Sequence, residues 1–364
     1  MTTNASAAVM TDYSTLNAVR AVFGARATEI GGLGPDQRTA LFQLAEMIVL
    51  DERISLDDYL MSKEPDARRV AEELKGIVIP IRVETDVRIA AAVYAVEFGS
   101  SYPELDQRLS NLRRTTYPEE LDPQLYWAVS QELDLRDLSV ETRRKAERLL
   151  YSTQPRFLAR TVYYYFLSRV LECSYAPFGE RNEIYQYILE LEREQKTKVD
   201  WVDDAATTTE IARTVVGKVE RHGKELRERQ KELAELSKPL DVPAVIRVIV
   251  RHARDRRIPI IEAAVSIRNT EEAKSFRSFV KRYRQALVEQ DVSQKNKVQL
   301  ELDQICEYWA SPPGITGRAE TKIRIGQILS MEQVLTSRII RLPKMLRPNK
   351  HLIFLHEVWG AATL

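Results

Sequence analysis

Apolar residues recur along most of this chain at the three-and-four spacing of amphipathic helices. Residues 12–23 place Leu16, Val19, Val22 and Phe23 together. Gly31, Gly32, Gly34 and Pro35 break that helix, and Asp36 stands where it would cap the next, which carries Leu41, Leu44, Ala45 and Ile48. Pro65 with Asp66 opens a helix through Lys75. Residues 84–98 are alanine-rich and helical, and Pro103, Pro118 and Pro123 mark further helix starts. Ser139 and Pro155 open two more. The second holds Tyr163, Tyr164, Tyr165 and Phe166 in sequence. Three consecutive helical positions point in three directions, so some of these tyrosines are expected to pack and others to meet water or a neighbouring helix.

Residues 175–179 read as a loop. The helix after Arg181 turns Tyr185, Ile188 and Leu189 inward. Residues 207–237 form the longest polar helix. Its narrow stripe of Ile211, Val215, Val219, Leu226 and Leu233 is interrupted by His222 and Arg229, which suits a helical hairpin arm better than a coiled coil. Helices then follow over 243–256, 259–268 and 270–289, with another ending near Trp309.

Period-two alternation is scarce. Ile54-Ser55-Leu56 alternates, so 48–56 is ambiguous between helix and extended chain. Residues 76–83 are β-rich, but Pro80 lacks a ladder donor and suits only an edge strand or a connector. Residues 322–325 alternate like a strand, and 351–355 are a candidate second one. Thirteen glycines in 364 residues leave few sites for the tight turns of a many-stranded fold. The expected class is mostly α: a multi-helix bundle with a minor β or extended element near 76–83 and in the tail 320–356. Lys238-Pro239-Leu240-Asp241-Val242-Pro243 is the best boundary. It divides an acidic helical region, 1–240, from a basic one, 241–364.

Charge supports that division. The net charge is +1, but residues 1–140 sum to about −9, 238–284 to about +7 and 315–351 to about +6. The asymmetry has three readings: solvated helix faces, a surface for nucleic acid or an acidic partner, or pairing between the two halves. Two cysteines, Cys173 and Cys306, do not make a disulfide framework. The first residues lack the basic and apolar regions of a signal peptide. No stretch reaches about eighteen uninterrupted apolar residues. The expected setting is therefore the cytoplasm, with no membrane.

Motifs for chemistry are few. His222, His252, His351 and His356 show no His-Glu-x-x-His pattern and the cysteines no CxxC pair, so no metal is expected. Neither phosphate-cradling glycine motif occurs. Gly31-Gly32-Leu33-Gly34 has no leading strand and is followed by Asp36, so it reads as a turn. No cofactor is expected.

One segment carries a mechanism. Arg247-Val-Ile-Val-Arg-His252 resembles the Arg-x4–6-His motif of HEPN-type ribonucleases. The resemblance implies a small α-helical domain acting as a dimer and cleaving RNA without metal. Arg247 would stabilise the phosphate charge and His252 would help move the 2′-hydroxyl proton. Val248 departs from the polar residue usual after the arginine in that family. In the same region Arg247, Arg251 and Arg254 share a helix face, with Ile246, Ile249, Val250 and Ala253 expected on the buried side. Arg256, Arg257, Arg277, Lys281, Arg282 and Arg284 complete the candidate nucleic-acid contacts. Stretches 160–175 and 261–279 resemble segments recurring in bacterial helical proteins, which implies no activity.

Two functional expectations follow. The first is a non-enzymatic helical interaction protein that binds a protein partner or a second copy of itself. The second is a nucleic-acid-acting protein using the basic C-terminal part, with HEPN-like cleavage at Arg247 and His252 as its specific form.

Overall fold

The computed structural model describes residues 8–58, 64–83, 87, 91, 156–179, 181–193, 244–288, 293, 319–325, 329–335 and 354. Within these lie eight helices and six strands. In chain order they are β1 (Ala8–Thr11), α1 (Tyr13–Arg20), α2 (Pro35–Leu50), β2 (Arg53–Asp57), α3 (Pro65–Glu73), β3 (Val78–Ile81), α4 (Arg156–Val170), β4 (Ser174–Ala176), α5 (Arg181–Arg193), α6 (Ala244–Arg256), α7 (Ile260–Arg268), α8 (Glu271–Val288), β5 (Ala319–Ile325) and β6 (Leu329–Leu335).

The helical majority agrees with the sequence, but the architecture is not a bundle of helices alone. Four strands form one parallel sheet in the order β3-β2-β1-β4. Parallel strands covered on both faces have no solvent side, so they show apolar runs instead of alternation. β1, Ala-Val-Met-Thr, is buried at all four positions. β2 is the strand suggested by Ile54 and Leu56, and β3 is the edge element suggested by 76–83, with Pro80 exposed at that edge. The segment expected to be a loop, 175–179, instead begins inside β4.

Local chemistry explains the helix ends. Asp12 caps α1, its Oδ1 accepting from the Ser14 amide at 2.9 Å. In α2, Pro35 takes the first helical position and Gly34 is the cap, so Asp36 lies inside the first turn and does not cap it. The expected start of α3 at Pro65 is observed. α4 ends with Glu172 in a left-handed conformation (φ 52°), which lets the Cys173 amide reach back to the Ser168 carbonyl at 2.8 Å.

One apolar core runs through these elements and crosses the 238–243 break. α1 packs on α2 and α3, and α7 lies along α2. Val245, Ile249 and Ala253 form the buried stripe of α6, while Ile246 and Val250 are half-buried. All three consecutive tyrosines of α4 are buried, together with Phe166, so none meets water. Phe354 is buried against Phe276, ring centroids 4.9 Å apart. β5 and β6 pair antiparallel over 319–335, covering the alternation at 322–325. The polar helix expected at 207–237 and the rest of the strand expected at 351–355 lie outside the described residues.

Candidate functional site

The strand order reverses at β1. The chain moves from β1 to β2 and β3 on one side, and β4 then lies on the other. In open α/β sheets such a reversal opens a crevice beyond the carboxyl ends of the strands, because the connections leave in opposite directions. At this switch point β1 runs directly into α1, and β4 leads through Gly179 (φ 57°) into α5.

An ion pair ties these two junctions together. Arg181, first residue of α5, places Nη1 2.7 Å from Asp12 Oδ2, with side-chain exposures of 6% and 0%. Both terminal guanidinium nitrogens lie 3.4 Å from Ser14 Oγ. The Tyr175 hydroxyl donates to the same Asp12 oxygen at 3.3 Å. Burial alone would lower the Arg181 pKa, but the Asp12 carboxylate and Tyr175 outweigh it and hold the guanidinium above its ordinary range. Burial, followed by the Asp12 charge, pushes the Tyr175 phenol well up.

A second buried carboxylate, Asp57, ends the neighbouring strand β2. The register Ala8↔Arg53, Val9↔Ile54, Met10↔Ser55, continued by two residues, puts Asp57 next to Asp12 across strands about 4.8 Å apart. Asp57 is buried, and its Oδ2 accepts from the Tyr163 hydroxyl at 2.8 Å. The two acids are linked by rings. Tyr163 meets Tyr164 edge-on at 5.5 Å, and Tyr164 stacks on Tyr175 at 5.6 Å. The side chains at the rim, Ser14 and Asp58, are half-exposed. Among the described residues, no group of three or more His, Cys, Asp or Glu side chains is placed to hold a metal ion.

Sequence reasoning missed this cluster. The available signal was a short apolar run ending in aspartate and followed at once by a helix (Ala-Val-Met-Thr-Asp12), echoed at Ile54-Ser-Leu-Asp57. The partner of Asp12 is 169 residues away, beyond any local pattern.

The structure separates the residues that the sequence grouped as basic contacts. Arg247, Arg251, Arg254, Arg256 and Arg257 are exposed on α6 and the turn after it. His252 is half-buried, its Nε2 3.3 Å from Ser266 Oγ on α7. Burial foremost, with Arg256 assisting, lowers its pKa. Arg247 and His252 are five residues apart on one helix, about 140° in azimuth, so a single α6 does not bring them together. The described core around α6 is an α/β layer, not the small helical domain that the resemblance implies.

Arg277 is a correction of another kind. Its guanidinium is buried and bonded to the carbonyls of Val49 at 2.9 Å and Arg268 at 2.7 Å. Arg268 donates to the carbonyls of Ile48 and Asp51 at 2.6 Å each, and to that of Glu52. The Ile48 and Val49 carbonyls are among those that the end of α2 leaves without helical partners, Asp51 and Glu52 follow directly after that end, and the Arg268 carbonyl belongs to the end of α7. The two arginines therefore cap α2, and Arg277 has no free fork for a phosphate. Lys281 lies 3.3 Å from Glu52 in the same corner. Arg282 is exposed with its guanidinium carbon 5.9 Å from the Phe279 ring centroid. The side chain of Arg284 lies outside the described residues.

No helix among the described residues is long and apolar enough to cross a membrane. Compared with protein-family models, curated proteins and solved structures, the chain matches none.

Proposed function

We propose that this chain binds a phosphate-bearing small molecule, carried in as its magnesium complex, at the carboxyl edge between β1 and β4. The observation that carries the reading is a fully buried Asp12–Arg181 pair at the point where the strand order reverses. A buried pair of this kind contributes little to net stability, because desolvation offsets its attraction. Perturbed charges at the switch point of a parallel sheet make this edge a candidate site.

The parts suit such a ligand. The amino ends of α1 and α5 converge there, and their dipoles favour an anion. Asp57 and the half-exposed Asp58 supply carboxylates on the same edge. Magnesium is commonly held by one or two carboxylates together with ligand phosphates. That mode needs no resident cluster of three protein ligands, so the cation arrives with the ligand. The buried Asp12–Arg181 pair sets the charge and holds the two junctions in place, and the half-exposed Ser14 and Asp58 are the side chains that would meet the ligand. The interaction role expected from the helical pattern has no comparable set of placed residues.

Thermal unfolding with and without MgATP or inorganic phosphate plus magnesium tests the proposal. A saturable rise in Tm is expected with at least one probe, equivalent to about 2.7 kcal/mol at one hundred times Kd. Asp58→Asn and Ser14→Ala, both at the rim, should weaken the response while leaving the unliganded Tm within a few degrees of wild type. No saturable response to either probe, or a response unchanged in both variants, overturns the reading.

A further inference from the structure

We infer that the outer face of α6 is a binding surface for the phosphate backbone of a nucleic acid, separate from the carboxyl edge. Two independent periodicities coincide on this helix. Val245, Ile249 and Ala253, spaced by four, are buried at 1% exposure or less. Arg247, Arg251 and Arg254, at i, i+4 and i+7, are exposed. With about 100° per residue, the arginine row lies opposite the apolar stripe. The helix is thus fixed by α2 and α7 on one side and presents three guanidinium groups on the other. Arg256 and Arg257 add two more exposed arginines at its end.

The charge on this surface is almost of one sign. Between residues 244 and 257 there are five arginines, no lysine and a single acid, Asp255. Guanidinium forks match phosphate oxygens in a fixed planar geometry that an ammonium lacks. The row spans about 10 Å of helix, and a duplex strand carries one phosphate per roughly 3.4 Å of its axis. Three arginines over that length match the spacing of a regularly charged polyanion. The exposed positions of α6 carry no aromatic side chain on which a base would stack. The geometry therefore favours backbone contact without sequence preference. It does not favour cleavage, because His252 turns toward Ser266 and away from the row.

The test is fluorescence anisotropy of the full chain with a labelled mixed-sequence 20-base-pair DNA duplex, across a salt series and beside labelled poly-glutamate. Binding is expected to weaken linearly on a logarithmic salt scale. In Arg247→Ala/Arg251→Ala/Arg254→Ala the slope should fall by about 2.7, from roughly 0.9 per lost phosphate contact. His252→Ala should bind as wild type. Circular dichroism and Tm confirm that the triple variant is folded, since all three side chains are exposed. An unchanged slope in the folded triple variant, no duplex binding at low salt, or binding of poly-glutamate in place of the duplex overturns the inference.

Discussion

Two buried arginines on opposite sides of the core show how differently a protein accommodates the same charge. Arg181 meets a carboxylate, Asp12, and is held above its ordinary pKa. Arg277 meets carbonyls and the neighbouring cation Arg268. Burial and then Arg268 push it down to about 10, with Glu52 and Asp51 acting in the opposite direction. Both remain charged at neutral pH. The first is a paired ion whose removal strands its partner. The second is a hydrogen-bonding device, used because its fork reaches one carbonyl at the end of α2, Val49, and one at the end of α7, Arg268.

The comparison can be broken most forcefully at the ion pair. Arg181→Met leaves Asp12 buried without its counterion and should cost about 3–5 kcal/mol in urea unfolding. Adding Asp12→Asn should recover part of that loss, because a neutral amide needs no counterion. If the double variant is no more stable than the single one, Asp12 and Arg181 are not coupled. Arg277→Leu should cost less, about 1.5–3 kcal/mol, from charge-assisted bonds lost at the ends of α2 and α7. Removing its repulsion on Arg268 offsets some of that cost. A loss larger than for Arg181→Met would reverse the comparison.

The smallest effect belongs to His252, a half-buried ring that titrates. Burial and Arg256 depress its folded pKa, while Asp255 opposes them. The fold therefore favours the neutral ring. This contribution is present above the unfolded value near 6.5 and is lost as pH falls through the depressed folded value. His252→Gln should flatten the fall in Tm between pH 7 and pH 5 by a small amount, since the ring is only half-buried. An equally steep fall in the variant would remove His252 as its source.

Sequence and structure agree where periodicity has a single cause. α6 is legible because one face is buried and the other wet, and Pro65 marks α3 because proline suits a first turn. β1 and β4 were illegible because three or four residues buried on both faces leave no alternation to read. The tyrosines of α4 defeated the azimuth argument because neighbours surround that helix: the sheet-edge carboxylate Asp57 takes Tyr163, Tyr175 takes Tyr164, and Tyr185 takes Tyr165. The candidate site shares this limit. Charge density picked out Arg277 with Arg251, yet one caps a helix and the other is exposed, and only the fold separates them.

The cap on α2 has a consequence in time. The carbonyls at its end wait for Arg268, which lies 220 residues beyond Ile48. β1 waits similarly for β4, 165 residues later. At about 5–20 residues per second of synthesis, roughly 10–45 seconds separate the emergence of α2 from that of the arginine that completes it. During that interval β1 has β2 on one side but not β4 on the other, and the end of α2 is uncapped. The outer side of β1 and the end of α2 are therefore completed only once residues 174–176 and 268 have been made.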